Sequence, residues 1–243
     1  MRPTQELYEF FTRAYGYFNA TLFGGGLAPC MITVQRQKGC MGLFYPERWI
    51  TENAEKCHEL ALNPTYFGAY RVVELFQTLV HEQCHMWQQE YGRPSRSGYH
   101  NREWSSKMAS IGLMPSSTGE PGGKRTGQHM SDYPLSGGLF LQTCRQFVAG
   151  GGKLKWMDRY RVPDRPHAES PLRPLEESND EQALLAPVTS LFHGVDADHW
   201  LSSERPTARN KIKYTCPGCG CNAWGKPGLR LRCEMCDRPL RAQ

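Results

Sequence analysis

Between residues 69 and 91 the apolar side chains Val72, Val73, Leu75, Phe76, Leu79 and Val80 recur at helical spacing, and the same run carries His81-Glu82-Gln83-Cys84-His85. A helix this apolar is expected to be buried, where two imidazoles and a carboxylate without partners are costly. A metal ion removes that difficulty. Residues four apart share one helix face, so both imidazoles of an H-E-x-x-H pattern can address one ion. The chain is therefore expected to fold around a central helix that carries a metal site.

Zinc suits such a pattern, because it takes neutral imidazole nitrogens at about 2.0–2.1 Å and, in catalytic sites, leaves one position to water. Zinc lowers the pKa of that water to about 7. Glu82, beside His81, would face the water rather than the metal, taking a proton as general base and returning it as general acid. Two histidines are too few, so a third protein ligand is expected. His100 is the first candidate: it follows His85 by fifteen residues, past the turn-forming segment Gly92–Gly98. Glu103 is the second, one helical turn further on, and His129 a third.

Around this helix the pattern predicts a mixture of helices and short strands. Leu7, Phe10, Phe11, Ala14, Tyr15, Phe18 and Leu22 place a helix over 4–22, which Gly24-Gly25-Gly26 ends. Strands are expected at 31–35, 41–45 and 58–62. A further helix is expected over 101–111, with Asn101 as its cap and Trp104, Met108 and Ile111 facing inward. Residues 114–138, rich in Gly, Ser and Pro, show no periodicity; a loop that long is either functional or disordered. Its Gly119–Tyr133 part, with Lys124, Arg125, His129 and Tyr133, is a candidate cleft lining whose donors would face a developing oxyanion.

A second constellation lies near the C-terminus. Cys216-Pro217-Gly218-Cys219 and Cys233-Glu234-Met235-Cys236 are two C-x-x-C knuckles separated by thirteen residues, the spacing of a four-cysteine zinc ribbon. Cys221 is a spare thiol that could replace Cys219. Such a small module cannot fold on its own core, so zinc binding would supply its folding energy. Lys211, Lys213, Lys226, Arg230, Arg232, Arg238 and Arg241 stand around the knuckles against two acids in 211–243. That balance makes DNA a candidate partner, with Trp224 either in the ribbon core or stacked on a base. Cys30, Cys40, Cys57 and Cys144 have no metal spacing and read as buried small apolar groups.

The residues His81, Glu82 and His85, followed by His100 and Trp104, resemble the motif of the SprT-like family, which includes the Spartan proteases. Cys84-His85-Met86-Trp87 and Leu22-Phe23-Gly24-Gly25-Gly26-Leu27 resemble that family as well, and the likeness covers roughly residues 5–113. Asn101 departs from the glycine common after the third histidine. The resemblance implies a zincin-type domain that cleaves proteins, in some relatives proteins crosslinked to DNA.

The expected fold class is α+β: a zincin-like metallopeptidase domain over 1–157, a flexible acidic, proline-rich linker over 158–210 with one short helix near 180–192, and a ribbon over 211–243. The 158–210 stretch holds ten acids against six Lys/Arg. Two zinc ions are expected, one catalytic and one structural. The start of the chain lacks the apolar core of a signal peptide, and no apolar run approaches the roughly 20 residues of a membrane span. A cytoplasmic protein, nucleoid-associated if it binds DNA, is the expectation, acting on a protein substrate. The rival reading is a non-enzymatic DNA-binding or regulatory protein whose first zinc is structural.

Overall fold

The computed structural model describes residues 1–37, 39–96, 98–152, 154–160, 182–191 and 211–242. The chain divides into two compact units, Met1–Ser203 and Glu204–Gln243. The first is a mixed α+β unit.

Helix α1 (Pro3–Leu22) begins with proline in its first turn, where the missing N–H costs nothing. Three strands follow: β1 (Met31–Val34), β2 (Gly42–Ile50) and β3 (Lys56–Leu62). They form one sheet in the order β1-β3-β2, with β1 parallel and β2 antiparallel to β3. The register pairs Met31 with Glu59 and Gly42 with Leu62. Strand β2 runs past the predicted 41–45 because its pairing resumes at Trp49 and Ile50 after an irregularity beyond Tyr45. Helix α2 (Val72–Tyr91) packs on the sheet and opens with a capping box, in which the Glu74 carboxylate accepts from the Arg71 N–H at 2.7 Å. Helix α3 (Arg102–Ser110) is capped by Asn101, whose side chain accepts from Trp104 N at 3.0 Å.

Aromatic side chains knit these helices into one core. Phe18 of α1, Phe76 of α2 and Phe147 of α4 (Leu139–Ala149) meet pairwise with ring centroids 5.2–5.9 Å apart. Leu60 and Leu62 of β3 and Trp104 and Met108 of α3 complete it.

The stretch 114–138 contains a paired hairpin, β4 (Leu113–Ser116) and β5 (Ser131–Pro134). Four-residue strands separated by fourteen loop residues leave too little alternation to read from sequence. Within the stretch expected to be a linker, Gln182–Leu185 (α5) and the 3-10 turn Val188–Leu191 pack on the core of the first unit, burying Leu184, Val188 and Leu191. Leu154 N donates to Leu191 O and Val188 N to Tyr70 O, so these ten residues are tied down rather than free. The rest of that linker, 161–181 and 192–210, lies outside the described residues. Of the cysteines expected to be buried, Cys144 is, whereas Cys30, Cys40 and Cys57 are half-buried.

The second unit is a small all-β body. Strands β6 (Ile212–Thr215) and β7 (Asn222–Gly225) form a hairpin. Strand β8 (Arg232–Cys233) pairs with β9 (Arg238–Pro239), and β10 (Arg241–Ala242) returns to β6. Trp224 is on β7 and 64% exposed, so it is no part of a ribbon core. No helix among the described residues is long and apolar enough to cross a membrane.

Candidate metal centre

Helix α2 puts His81 and His85 one turn apart on the same face, and His100 comes in just ahead of α3. Nε2 of His100 lies 3.1 Å from Nε2 of His85 and 3.3 Å from Nε2 of His81. Three ring nitrogens, one from each histidine, fall within 4.8 Å of one another. Trp104 forms the floor, its ring centroid 4.8, 5.2 and 4.4 Å from those of His81, His85 and His100.

The outer nitrogens of two rings are engaged elsewhere. His81 Nδ1 donates to Asp132 Oδ2 at 3.0 Å, and His100 Nδ1 donates to the Gly127 carbonyl at 3.2 Å. Their Nε2 atoms are thereby left as lone pairs turned toward each other, an arrangement that repels unless a cation sits between them. Tetrahedral zinc with Zn–N near 2.0–2.1 Å separates its nitrogen ligands by about 3.3 Å. The observed separations fit that ion.

The electrostatics favour the neutral form at two of the three imidazoles. Burial, then the neighbouring rings of His81 and His100, hold His85 well below the ordinary imidazole range. Burial, then His81, brings His100 down to about 4. Burial works in the same direction on His81, but the Asp132 hydrogen bond and the Glu82 charge outweigh it and raise that ring. Burial lifts Glu82 to about 7 against the opposing effect of His81.

Glu82 lies against strand β2. A Cβ on Gly42 would stand 3.0 Å from Glu82 Oε1 and 2.8 Å from Thr78 Cγ2, so only glycine leaves this carboxylate its place.

Of the other candidate ligands, Glu103 is turned away: its Oε2 accepts from Arg93 N at 2.7 Å and Gln88 Nε2 at 2.9 Å. It fastens the end of α2 to the start of α3, and a Cβ on Gly92 would meet it at 2.5 Å. His129 is exposed and stands outside the histidine group. Asp132, Gly127 and Gly42 were missed by sequence reasoning. The aspartate lies 51 residues from its histidine, and no local spacing signals such a pair.

In the second unit Cys216, Cys219, Cys233 and Cys236 bring their sulfurs within 4.8 Å of one another. Cys219 Sγ is 3.6 Å from Cys233 Sγ, against about 3.8 Å for two thiolates on tetrahedral zinc. Gly218 N donates to Cys216 Sγ at 3.4 Å, and Gly218 has no Cβ to crowd Cys236. The Cys221 N–H and the surrounding thiols lower Cys219 to about 6. The group has the donor set of a structural zinc ribbon.

Against this geometry the comparisons are direct. The SprT-like family matches residues 9–122, which include all three histidines. Residues 9–122 are thus similar to a SprT-like domain. An uncharacterized protein in the mucB 3' region of Salmonella typhimurium is 44% identical over 48 residues, 20% of this chain and 65% of the relative. The chain thus spans somewhat less than two-thirds of the curated relative it matches. No solved structure matches. The match to the SprT-like domain ends at 122, before the hairpin partner residues Gly127 and Asp132 and before the ribbon.

Proposed function

We propose that the chain is a zinc-dependent endopeptidase with a zincin-type active centre, in which His81, His85 and His100 hold the ion and Glu82 is the catalytic acid–base. The convergence of three imidazole nitrogens at zinc-like separations, with the buried Glu82 carboxylate on the next residue of the same helix, carries this reading. A zinc ion bound there supplies Lewis acidity toward a peptide carbonyl and its attacking water at neutral pH. The Glu82 carboxylate takes the proton from that water as it attacks and returns it to the leaving amine nitrogen. Gly42 holds this carboxylate at the helix–sheet seam, and Trp104 beneath the rings excludes water from the back of the site. The match of residues 9–122 to the SprT-like family supports a metallopeptidase.

The second unit is proposed to hold a structural zinc and to bind single-stranded DNA, placing the peptidase on DNA-bound protein substrates. Lys213 and Trp224 are cross-strand partners, so a phosphate-binding charge stands beside an exposed stacking surface.

The deciding experiment is Glu82→Gln. This variant should keep its zinc, by elemental analysis, and lose peptide hydrolysis; proteolysis at the unsubstituted rate removes Glu82 from the mechanism. DNA binding should weaken with salt and with Trp224→Ala. Unchanged affinity in that variant removes the stacking role.

A further inference from the structure

The hairpin that ends in β5 makes contacts that the family match does not cover. An imidazole can offer either nitrogen to a metal, and the bond made by the other nitrogen decides which. At His81 and at His100 that bond comes from the same short segment of chain.

We propose that residues 127–132 are an outer clasp of the three-histidine site, in which Asp132 is the positioning residue for His81 and the Gly127 carbonyl that for His100. This rests on the metal reading of those histidines and adds to it. Asp132 is itself pinned. Gln77 Nε2 donates to its Oδ1 at 3.0 Å and to its main-chain oxygen at 3.1 Å, and Gln77 lies four residues before His81 on α2. The carboxylate is therefore held over the histidine by the histidine's own helix. Gly127 is fixed as firmly: its N–H donates to His100 O at 3.1 Å and its carbonyl accepts from His100 N at 2.8 Å, an isolated antiparallel bridge. Between these points Met130 packs on the core. Gln128 lies so close to Gly98 that a Cβ there would meet it at 2.5 Å. The long loop thus turns inward at both of its contacts with the histidines. With both outer nitrogens occupied, the two Nε2 atoms face the ion before it arrives, so less ordering is left to be done on binding.

The consequence is a reciprocal coupling: the clasp tightens the metal, and the metal orders the clasp. The test uses the full chain with cobalt(II) and zinc. Cobalt in the ribbon shows thiolate charge-transfer bands, whereas cobalt on imidazoles shows weaker ligand-field bands alone. Asp132→Asn keeps the side-chain shape. It should lower metal affinity at the histidine site by about 10–100-fold in chelator competition. It should also shift the ligand-field bands and leave the thiolate bands unchanged. Equal affinity together with an identical ligand-field spectrum overturns the clasp and leaves the metal site standing. A wild-type chain that takes up metal only with thiolate bands overturns the metal reading itself. A second measurement needs no variant: amide hydrogen exchange at His100 and over 127–132 should slow when zinc is added. Exchange at the same rate with and without metal contradicts the coupling.

Discussion

The two candidate metal centres are built on opposite terms. The histidines stand on a packed unit: α2 and α3 bury Phe76, Leu79, Val80, Trp104 and Met108 whether or not an ion is present. The cysteines stand on a unit in which Tyr214, Cys216 and Cys233 are the buried residues among 211–242. Two of those three are candidate ligands. In the first unit the fold makes the site; in the second the site must make the fold, because so little apolar surface is removed from water.

Removing metal from both centres should separate the two cases most widely. A strong chelator is expected to unfold residues 211–242, since structural zinc contributes about 10–16 kcal/mol that is folding energy in such modules. The described part of the first unit should keep its cooperative melt. Hydrogen exchange with and without chelator reads both units in one sample. A ribbon that stays protected without metal would break the contrast.

The reverse cut is Trp104→Ala. Its ring is fully buried and touches all three imidazoles, so truncation should destabilise the first unit by about 3–5 kcal/mol, measured by denaturant unfolding. The thiolate signal of a cobalt-loaded ribbon should not move. A change in that signal would show that the two units do not stand independently.

How much of this was legible in the sequence follows the same division. Helix α2 and its histidines could be read because period, burial and motif coincide on one run of residues. The ribbon cysteines could be read because thiolate spacing is local. Asn101 was legible as a cap for the same reason. What could not be read is whatever depends on a distant partner: Asp132 beneath His81, Gly127 bridged to His100, and Gly42 against Glu82. Glu103 shows the limit from the other side. It stands one helical turn past His100, a ligand-like spacing, yet the Arg93 N–H and the Gln88 amide claim its carboxylate. Sequence spacing proposes which groups can meet, but only the competing donors decide which do.

A smaller perturbation tests how tightly the first unit fixes the Glu82 carboxylate. Gly42→Ala places a methyl group 3.0 Å from Glu82 Oε1 and 2.8 Å from Thr78 Cγ2. Overpacking of this kind costs about 1–3 kcal/mol. A Cβ at Gly42 meets Thr78 and Glu82 rather than the candidate histidine ligands, so zinc content should stay at the wild-type level while peptide hydrolysis falls. Loss of zinc in Gly42→Ala would place the strain on His81 instead of Glu82.

The smallest expected effect lies in the ribbon, at the spare thiol. Cys221 Sγ is 3.7 Å from Cys233 Sγ, nearly the distance at which Cys219 stands, so proximity to one partner does not choose between them. The full set of distances does: Cys219, with Cys216, Cys233 and Cys236, completes a group in which every sulfur is near every other. The backbone agrees, because Cys216 N donates to Cys221 O at 2.9 Å and closes the knuckle with Cys221 at its exit. Cys221→Ser should therefore leave ribbon zinc and its protection from exchange unchanged, whereas Cys219→Ser should lose both. Zinc lost from Cys221→Ser and kept by Cys219→Ser would exchange the two roles. It would also show that a fold this dependent on its metal settles its own ligand set only once the metal is bound.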